Sequence, residues 1–120
     1  MERLKEIHSD GKEMVFLNLR DYRDDKIFFR EILHHTSELL KKKGSPQLLL
    51  IDFTGIPYTH KFFEITREFI SSNLDHIKAA ALVGVQLEQE IDPDIVKKAA
   101  DLHILFFNDL NDARNWLKQK

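Results

Sequence analysis

Hydrophobic positions along the chain form short runs and spaced stripes that predict strands and helices in regular succession. Residues 4–7 and 14–19 are two apolar-containing runs on either side of Ser9-Asp10-Gly11-Lys12. Asp-Gly provides the positive φ angles of a tight hairpin turn, so we predict an N-terminal β-hairpin. The second run has apolar side chains in both of its alternating sets, which indicates a strand that is buried on both faces.

A long helix is predicted next, over residues 24–43. Asp24 or Asp25 can cap its first N–H groups, and Gly44 and Pro46 provide a left-handed cap and a stop. Apolar residues recur at the three-and-four spacing of one buried helical face, at Phe28, Phe29, Ile32, Leu33, Thr36, Leu39 and Leu40.

The rest of the chain alternates between strand and helix patterns. Residues 47–53 and 77–85 are nearly continuous apolar runs, typical of central strands, and 103–107 predicts a last short strand. Helices are predicted from a Thr59 cap to about residue 73, from residue 92, and over residues 108–118. The expected buried residues of the first and last of these helices are Phe62, Thr66, Phe69, Ile70 and Leu74, and Leu110, Ala113, Trp116 and Leu117.

The predicted order β-β-α-β-α-β-α-β-α indicates an α/β fold. We expect a mixed, mostly parallel sheet of four to five strands, with an N-terminal hairpin and about four helices packed on the sheet. Right-handed crossovers leave this arrangement little topological freedom. The length of 120 residues fits one domain, over residues 1–120.

Composition and charge exclude several classes of function. The chain has no cysteine, which excludes disulfides, thiolate metal sites and a cysteine nucleophile. Its formal net charge of −2 gives no reason to expect nucleic-acid binding. No apolar run approaches the roughly 18 residues of a membrane span, and the first residues do not resemble a signal peptide. We therefore expect a cytoplasmic protein without membrane insertion.

Polar residues follow the predicted strands at the edge where ligands of open α/β sheets bind. Asp52 could orient His60 as a base, with Thr59 or Tyr58 nearby, which would form a hydrolase-like site. Alternatively, Asp52 and Thr54 hydrogen-bond turn amides while Thr59 caps a helix. Because no nucleophile-elbow glycines accompany these residues, we favour the structural role and expect no catalytic residues.

Metal and cofactor sites are not expected either. The six histidines lack paired ligand spacing, and the adjacent His34 and His35 point in different directions on a helix. The acidic stretch at residues 88–94 lacks the glycine and closing glutamate of a calcium loop. The four glycines are scattered, so no phosphate-binding loop is present, and Gly84 is explained by close helix–strand packing.

Three motifs in order are similar to a known family. An apolar strand ends in Asp52-Phe53-Thr54-Gly55-Ile56, a later strand reads Lys78-Ala79-Ala80-Ala81-Leu82-Val83-Gly84-Val85, and the chain closes with a helix that contains Ala-x-x-Trp-Leu at 113–117. Over residues 47–117 the chain resembles the STAS superfamily, which includes anti-sigma-factor antagonists, and in particular its SpoIIAA-like bacterial members. The resemblance implies a mixed sheet with helices packed on it and a binding role rather than a catalytic one.

The resemblance implies that a protein partner docks at the loop after the central strand. The residues concerned are Thr54, Gly55, Tyr58, Thr59, His60 and Phe62. Antagonists of the family carry a phosphorylated serine there, whereas this chain has His-Lys-Phe-Phe at residues 60–63. We therefore expect a non-enzymatic interaction or regulatory module that lacks the phosphoacceptor serine.

Two further expectations concern ligands and self-association. SpoIIAA-like proteins are sometimes grouped with CRAL-TRIO lipid-binding domains, so the alternative function is the binding of a small lipophilic ligand. An edge strand of the N-terminal hairpin could also pair with a second copy of the chain to form a homodimer.

Overall fold

In the described part of the chain, five strands form one mixed sheet. The computed structural model describes residues 3–20, 26–55, 60–84 and 103–120, and within them all side chains except those at 9, 26–28 and 60–63. The strands are β1 (Leu4–Ser9), β2 (Lys12–Asn18), β3 (Gln47–Asp52), β4 (Ile77–Val83) and β5 (Ile104–Phe107). They follow one another across the sheet in chain order. β1 is antiparallel to β2, and every other neighbouring pair is parallel, which confirms the expected mixed α/β sheet.

The β1–β2 hairpin turns tightly at Asp10-Gly11. Ser9 pairs with Lys12, so only two residues form the turn. Asp10 and Gly11 have φ angles of 50° and 79°, the left-handed values that the Asp-Gly sequence predicts. Both strands are longer than predicted, because the polar residues next to the turn also join the ladder.

Two long helices cover one face of the sheet. Helix α1 spans Lys26–Lys43 and α2 spans His60–Ser72. Each joins two neighbouring parallel strands in the same direction across the sheet, so right-handed crossovers place both on the same face. Their buried side chains form one apolar cluster with one alternating set of sheet residues, Val15, Leu17, Leu49, Ile51, Ala80 and Leu82.

The end of α2 corrects one sequence-based expectation. Leu74 is 43% exposed, whereas we expected it to continue the buried face through Thr66, Phe69 and Ile70, which are buried. The helix ends at Ser72 and a 3-10 turn follows at Leu74–His76, which changes the angular spacing and turns Leu74 outward. Asn73 is buried instead, and its Nδ2 donates to the Phe69 carbonyl at 2.8 Å.

A short helix, α3 (Leu110–Lys118), packs on the opposite face of the sheet. Its buried Ala113 and Leu117 belong to one apolar cluster with the other alternating set of sheet residues, Met14, Leu48, Leu50, Ala79, Ala81 and Val83. Trp116 is only half-buried and packs against Phe107 with ring centroids 5.7 Å apart. Lys118 Nζ lies 2.8 Å from Asp10 Oδ2, which fixes the end of α3 at the hairpin turn.

Several predicted features lie outside the described residues. They include the helix from residue 92, the end of the strand predicted to reach residue 85, and the capping residues Asp24 and Asp25. Of the helices that the described ranges contain, none is long and apolar enough to cross a membrane.

Candidate functional site

The carboxyl ends of the four parallel strands meet in one row. Asn18, Asp52, Val83 and Phe107 are successive register partners across β2, β3, β4 and β5. The ladder continues beyond this row, since Phe53 N donates to Val83 O at 2.7 Å and Gly84 N donates to Phe107 O at 3.0 Å. The sheet therefore ends in a fixed edge, from which the loop after β3 begins.

Asp52 and Thr54 form a turn at the centre of this edge. Asp52 is 2% exposed, and its Oδ1 accepts hydrogen bonds from Thr54 N at 2.9 Å and from Thr54 Oγ1 at 2.5 Å. Such a bond from the amide two residues on closes an Asx turn. This oxygen of the carboxylate is thus occupied in shaping the chain, which is the structural role that the sequence favoured.

A side-chain oxygen also accepts a hydrogen bond from the amide two residues later after β2 and after β5. Asn18 Oδ1 accepts from Arg20 N at 3.0 Å after β2. Asp109 Oδ1 accepts from Asn111 N at 2.8 Å and caps the start of α3. Three polar side chains at this edge therefore each stabilise the backbone where a strand ends.

Gly84 packs against the Asp52–Thr54 turn from the neighbouring strand. A Cβ atom at Gly84 would lie 2.5 Å from Thr54 Oγ1 and 2.7 Å from Thr54 Cα, and its φ is +76°. A side chain of any size would therefore collide with the turn. The sequence favours close helix–strand packing as the reason for Gly84, whereas its close neighbour in the structure is Thr54, which no sequence pattern identifies.

The structure places part of the predicted site at this edge. Thr54 is half-buried and Gly55 is exposed, and both directly follow β3. His60 is the first residue of α2 and Phe62 lies in its first turn, although their side chains are outside the described atoms. Tyr58 and Thr59 lie outside the described residues. The approach of Asp52 to Thr59 and His60 thus stays a hypothesis.

Histidines and acids outside this edge do not assemble into a metal centre in the described part of the chain. There, no group of three His, Asp or Glu side chains has the geometry to hold an ion. His34 Nε2 lies 3.0 Å from Glu38 Oε1 one helical turn away, and both side chains are exposed. The acidic stretch at residues 88–94 lies outside the described residues.

Two of the depressions that described residues line lie along α1. One, of about 320 Å³, is lined by Arg30, Glu31, His34 and His35. The other, of about 550 Å³, separates α1 from the hairpin and is lined by Leu4, Lys5, Glu6, His35 and Leu39. Neither is lined by the predicted site residues, and no sequence pattern indicated a groove between β1 and α1.

Two carboxylates and one lysine form an ion-pair cluster beside this groove. Lys43 Nζ lies 2.5 Å from Glu6 Oε1 and also bonds Glu13 Oε1 on the neighbouring strand. The hydrogen bonds that Lys43 donates to the carboxylates of Glu13 and Glu6 raise the pKa of Lys43, and the bond with Lys43 lowers the pKa of Glu13. The end of α1 is thus attached to both strands of the hairpin.

Comparison with known proteins adds no relative: no family model, no curated protein and no solved structure matches the chain.

Proposed function

We propose that this protein is a non-enzymatic, STAS-like interaction module that binds a protein partner through residues 54–63. The segment begins at the Asp52–Thr54 turn and ends in the first turn of α2. It follows the carboxyl end of the central parallel strand, which is the side of open α/β sheets on which ligands bind. The resemblance of residues 47–117 to the STAS superfamily implies the same docking region.

The observation that carries the proposal is the double hydrogen bond from Thr54 to Asp52 Oδ1. In a catalytic triad the carboxylate accepts a hydrogen bond from the base and fixes its tautomer. Here the buried oxygen of Asp52 is engaged by its own turn, as are the side-chain oxygens of Asn18 and Asp109. Polar groups that hydrogen-bond the backbone in this way give the loop a rigid support for binding. The same oxygen atoms are then not free to take part in acid–base chemistry.

Rigidity of the loop base is a second support. Gly84 brings the chain of β4 against Thr54, and Phe53 N is bonded to Val83 O. A loop that starts from such a fixed position loses less conformational entropy when it binds than a free segment would. The geometry therefore suits recognition of a partner by a presented loop.

Residues 60–63 carry no hydroxyl group, so these four residues offer no phosphoacceptor where antagonists of the STAS superfamily have a serine. Phosphorylation would add a charge of about −2 to such a loop and could switch partner binding. With His-Lys-Phe-Phe in place of a serine motif, the proposed contact would instead use the lysine ammonium, the imidazole and the phenyl rings that the sequence supplies there. We expect the partner to present apolar and acidic groups.

The experiment compares matched substitutions inside and outside the segment. The tagged chain is purified gently from its own host, and proteins retained in stoichiometric amount are identified by mass spectrometry. His60→Ala and Lys61→Ala should each reduce the retained partner at least about tenfold, because interface contacts of a central loop dominate affinity. His76→Ala and the exposed Lys78→Ala, near the amino end of β4, should retain it fully.

Equal retention by all four variants would contradict the proposal, provided that their circular dichroism and melting temperatures match the parent chain. Loss of partner in the His76 and Lys78 variants alone would likewise refute it. Retention of a small lipophilic molecule in place of a protein would support the alternative function of ligand binding.

A further inference from the structure

The outer edge of β1 carries a set of backbone hydrogen-bonding groups that no described strand pairs with. Asn18 N donates to Arg3 O at 2.7 Å, and Ser9 pairs with Lys12 at the two-residue turn. In an antiparallel ladder the inward-bonding residues alternate. Arg3, Lys5, Ile7 and Ser9 therefore bond to β2, while the N–H and C=O groups of Leu4, Glu6 and His8 point away from the sheet.

Within the described ranges β1 is an edge strand of the sheet, and no strand lies on its outer side. The side chains of Lys5, Glu6 and His8 are exposed, and Leu4 and Ile7 are half-buried. The groove of about 550 Å³ between β1 and α1 lies over the Leu4–Glu6 part of the strand. An exposed strand edge of this kind is a template for pairing with another strand.

We propose that two copies of this chain pair through β1, antiparallel, about a two-fold axis that passes beside Ile7. The two sheets would then form one continuous sheet. The inference is independent of the proposed partner site, since β2 lies between β1 and β3, the strand that residues 54–63 follow in the chain.

Symmetry restricts the register of such a pair. Residues that lie directly opposite each other in two paired strands have their side chains on the same face of the sheet. When the two copies are related by a two-fold axis perpendicular to the sheet, this condition is met only if the axis passes beside one residue, which then lies opposite its own copy. A register centred on Lys5 opposes two lysines, and one centred on Glu6 opposes two glutamates. A register centred on His8 places Glu6 opposite Asp10. All three place like charges opposite each other, which is destabilising.

The register centred on Ile7 has no such conflict. Glu6 then lies opposite His8 of the second copy, twice by symmetry, so that an acid meets a group that can carry positive charge or donate a hydrogen bond. Both residues have outward backbone groups, so they form the hydrogen-bonded pairs of the new ladder. Ile7 meets its own copy on the opposite face, where it already packs against the apolar cluster under α3.

The charge distribution near β1 agrees with this register. Lys43 is shared by Glu6 and Glu13, so this cluster holds two acids and one base in each copy. His8 of the second copy would approach the Glu6 side of that cluster. The second copy is therefore the occupant that charge complementarity favours for this edge.

A single introduced cysteine tests the register directly, because the chain has no cysteine of its own. In the proposed register the two copies of residue 7 form a non-hydrogen-bonded pair with Cα atoms about 4.5 Å apart, within disulfide range. The two copies of residue 5, on the same strand and face, would be about 13 Å apart. Under mild oxidation Ile7→Cys should form a covalent dimer, and Lys5→Cys should stay monomeric on a denaturing gel.

Sedimentation equilibrium provides the second measurement. The parent chain should sediment as a dimer, and Glu6→Pro should weaken the dimer at least about tenfold, since proline removes the outward N–H of residue 6 and leaves the β1–β2 bonds intact. Unchanged circular dichroism in the variant shows that the fold is retained. A parent chain that is monomeric at about 100 µM overturns the proposal. So does a dimer that Glu6→Pro leaves intact, or equal cross-linking of both cysteine variants.

Discussion

Gly84 and Thr54 approach each other so closely that no side chain fits at residue 84. A Cβ atom there would lie 2.5 Å from Thr54 Oγ1 and 2.7 Å from both Thr54 Cα and Thr54 N. The contact joins the ends of two neighbouring parallel strands where the proposed binding loop begins. It is therefore the structural element on which the placement of that loop depends.

Gly84→Ala should destabilise the protein by about 2–5 kcal/mol, the sum of a positive-φ penalty and an overpacking penalty. Gly44→Ala is a matched control, because Gly44 has the same φ of +76° but a Cβ atom added there would have no other atom within 4 Å. The control should cost about 1–2 kcal/mol from backbone strain alone. Urea unfolding measures both, and equal costs would show that the contact with Thr54 carries no energy.

Removing the Thr54 hydroxyl should lower the free energy of unfolding, because the turn at Asp52 and Thr54 loses a hydrogen bond. Thr54→Val keeps the shape of the side chain but removes the O–H that donates to buried Asp52 Oδ1. Leaving a buried acceptor with one donor fewer costs about 1–3 kcal/mol. Thr54→Ser keeps the hydroxyl and should recover most of this loss in chemical unfolding. A serine variant as unstable as the valine variant would refute the role of the hydrogen bond.

Leu117 should be the main attachment of α3 to the sheet. The side chain is fully buried in the apolar cluster between α3 and the sheet, so Leu117→Ala should cost about 2–5 kcal/mol. Leu74→Ala makes the same chemical change at a 43% exposed position and should cost no more than about 0.5 kcal/mol. Thermal or urea unfolding of the two variants checks the difference, which would vanish if α3 were only loosely packed.

Acid should weaken the attachment of α1 and α3 to the hairpin. The bond from Lys43 lowers the pKa of Glu13, and the bond and charge of Lys118 lower the pKa of Asp10. Because both pKa values are lower in the folded state, their contribution to stability is present above the unfolded-state values and is lost as the pH falls through the folded-state values. Lys43, whose pKa is raised, stays charged throughout this range.

Lys43→Met should therefore lower the melting temperature at pH 7 more than Lys42→Met does, since Lys42 is an exposed lysine in the same helical turn. The difference between the two variants should shrink at about pH 3, because the stabilising charge of Glu13 is lost as the pH falls through its lowered pKa. A difference that stays constant between the two pH values would contradict the ion-pair account.

The order and type of the described elements follow from the sequence, and the reasons are local. Asp10-Gly11 fixes the hairpin turn, and the continuous apolar run of β3 can be buried only between two layers. Element ends were less predictable. The 3-10 turn that exposes Leu74 depends on how Asn73 bonds to Phe69 and Ser37, which is a tertiary contact.

The candidate site was predictable only in part, for a related reason. Asp-x-Thr after a strand indicates the Asx turn that Asp52 and Thr54 form, because the hydrogen bond spans two residues. The contact of Gly84 with Thr54 joins residues far apart in the chain and depends on strand register. The groove beside β1 likewise depends on how α1 lies over the hairpin, so no periodicity could predict it.

Native mass spectrometry of the wild-type chain, purified gently from its own host, tests the central claim most directly. A complex with one protein partner in fixed stoichiometry is the result that the interaction-module proposal predicts, with each chain contributing 14.2 kDa to its mass. The chain alone, as a monomer or as the β1-paired dimer, or the chain with only a small-molecule adduct, would contradict it.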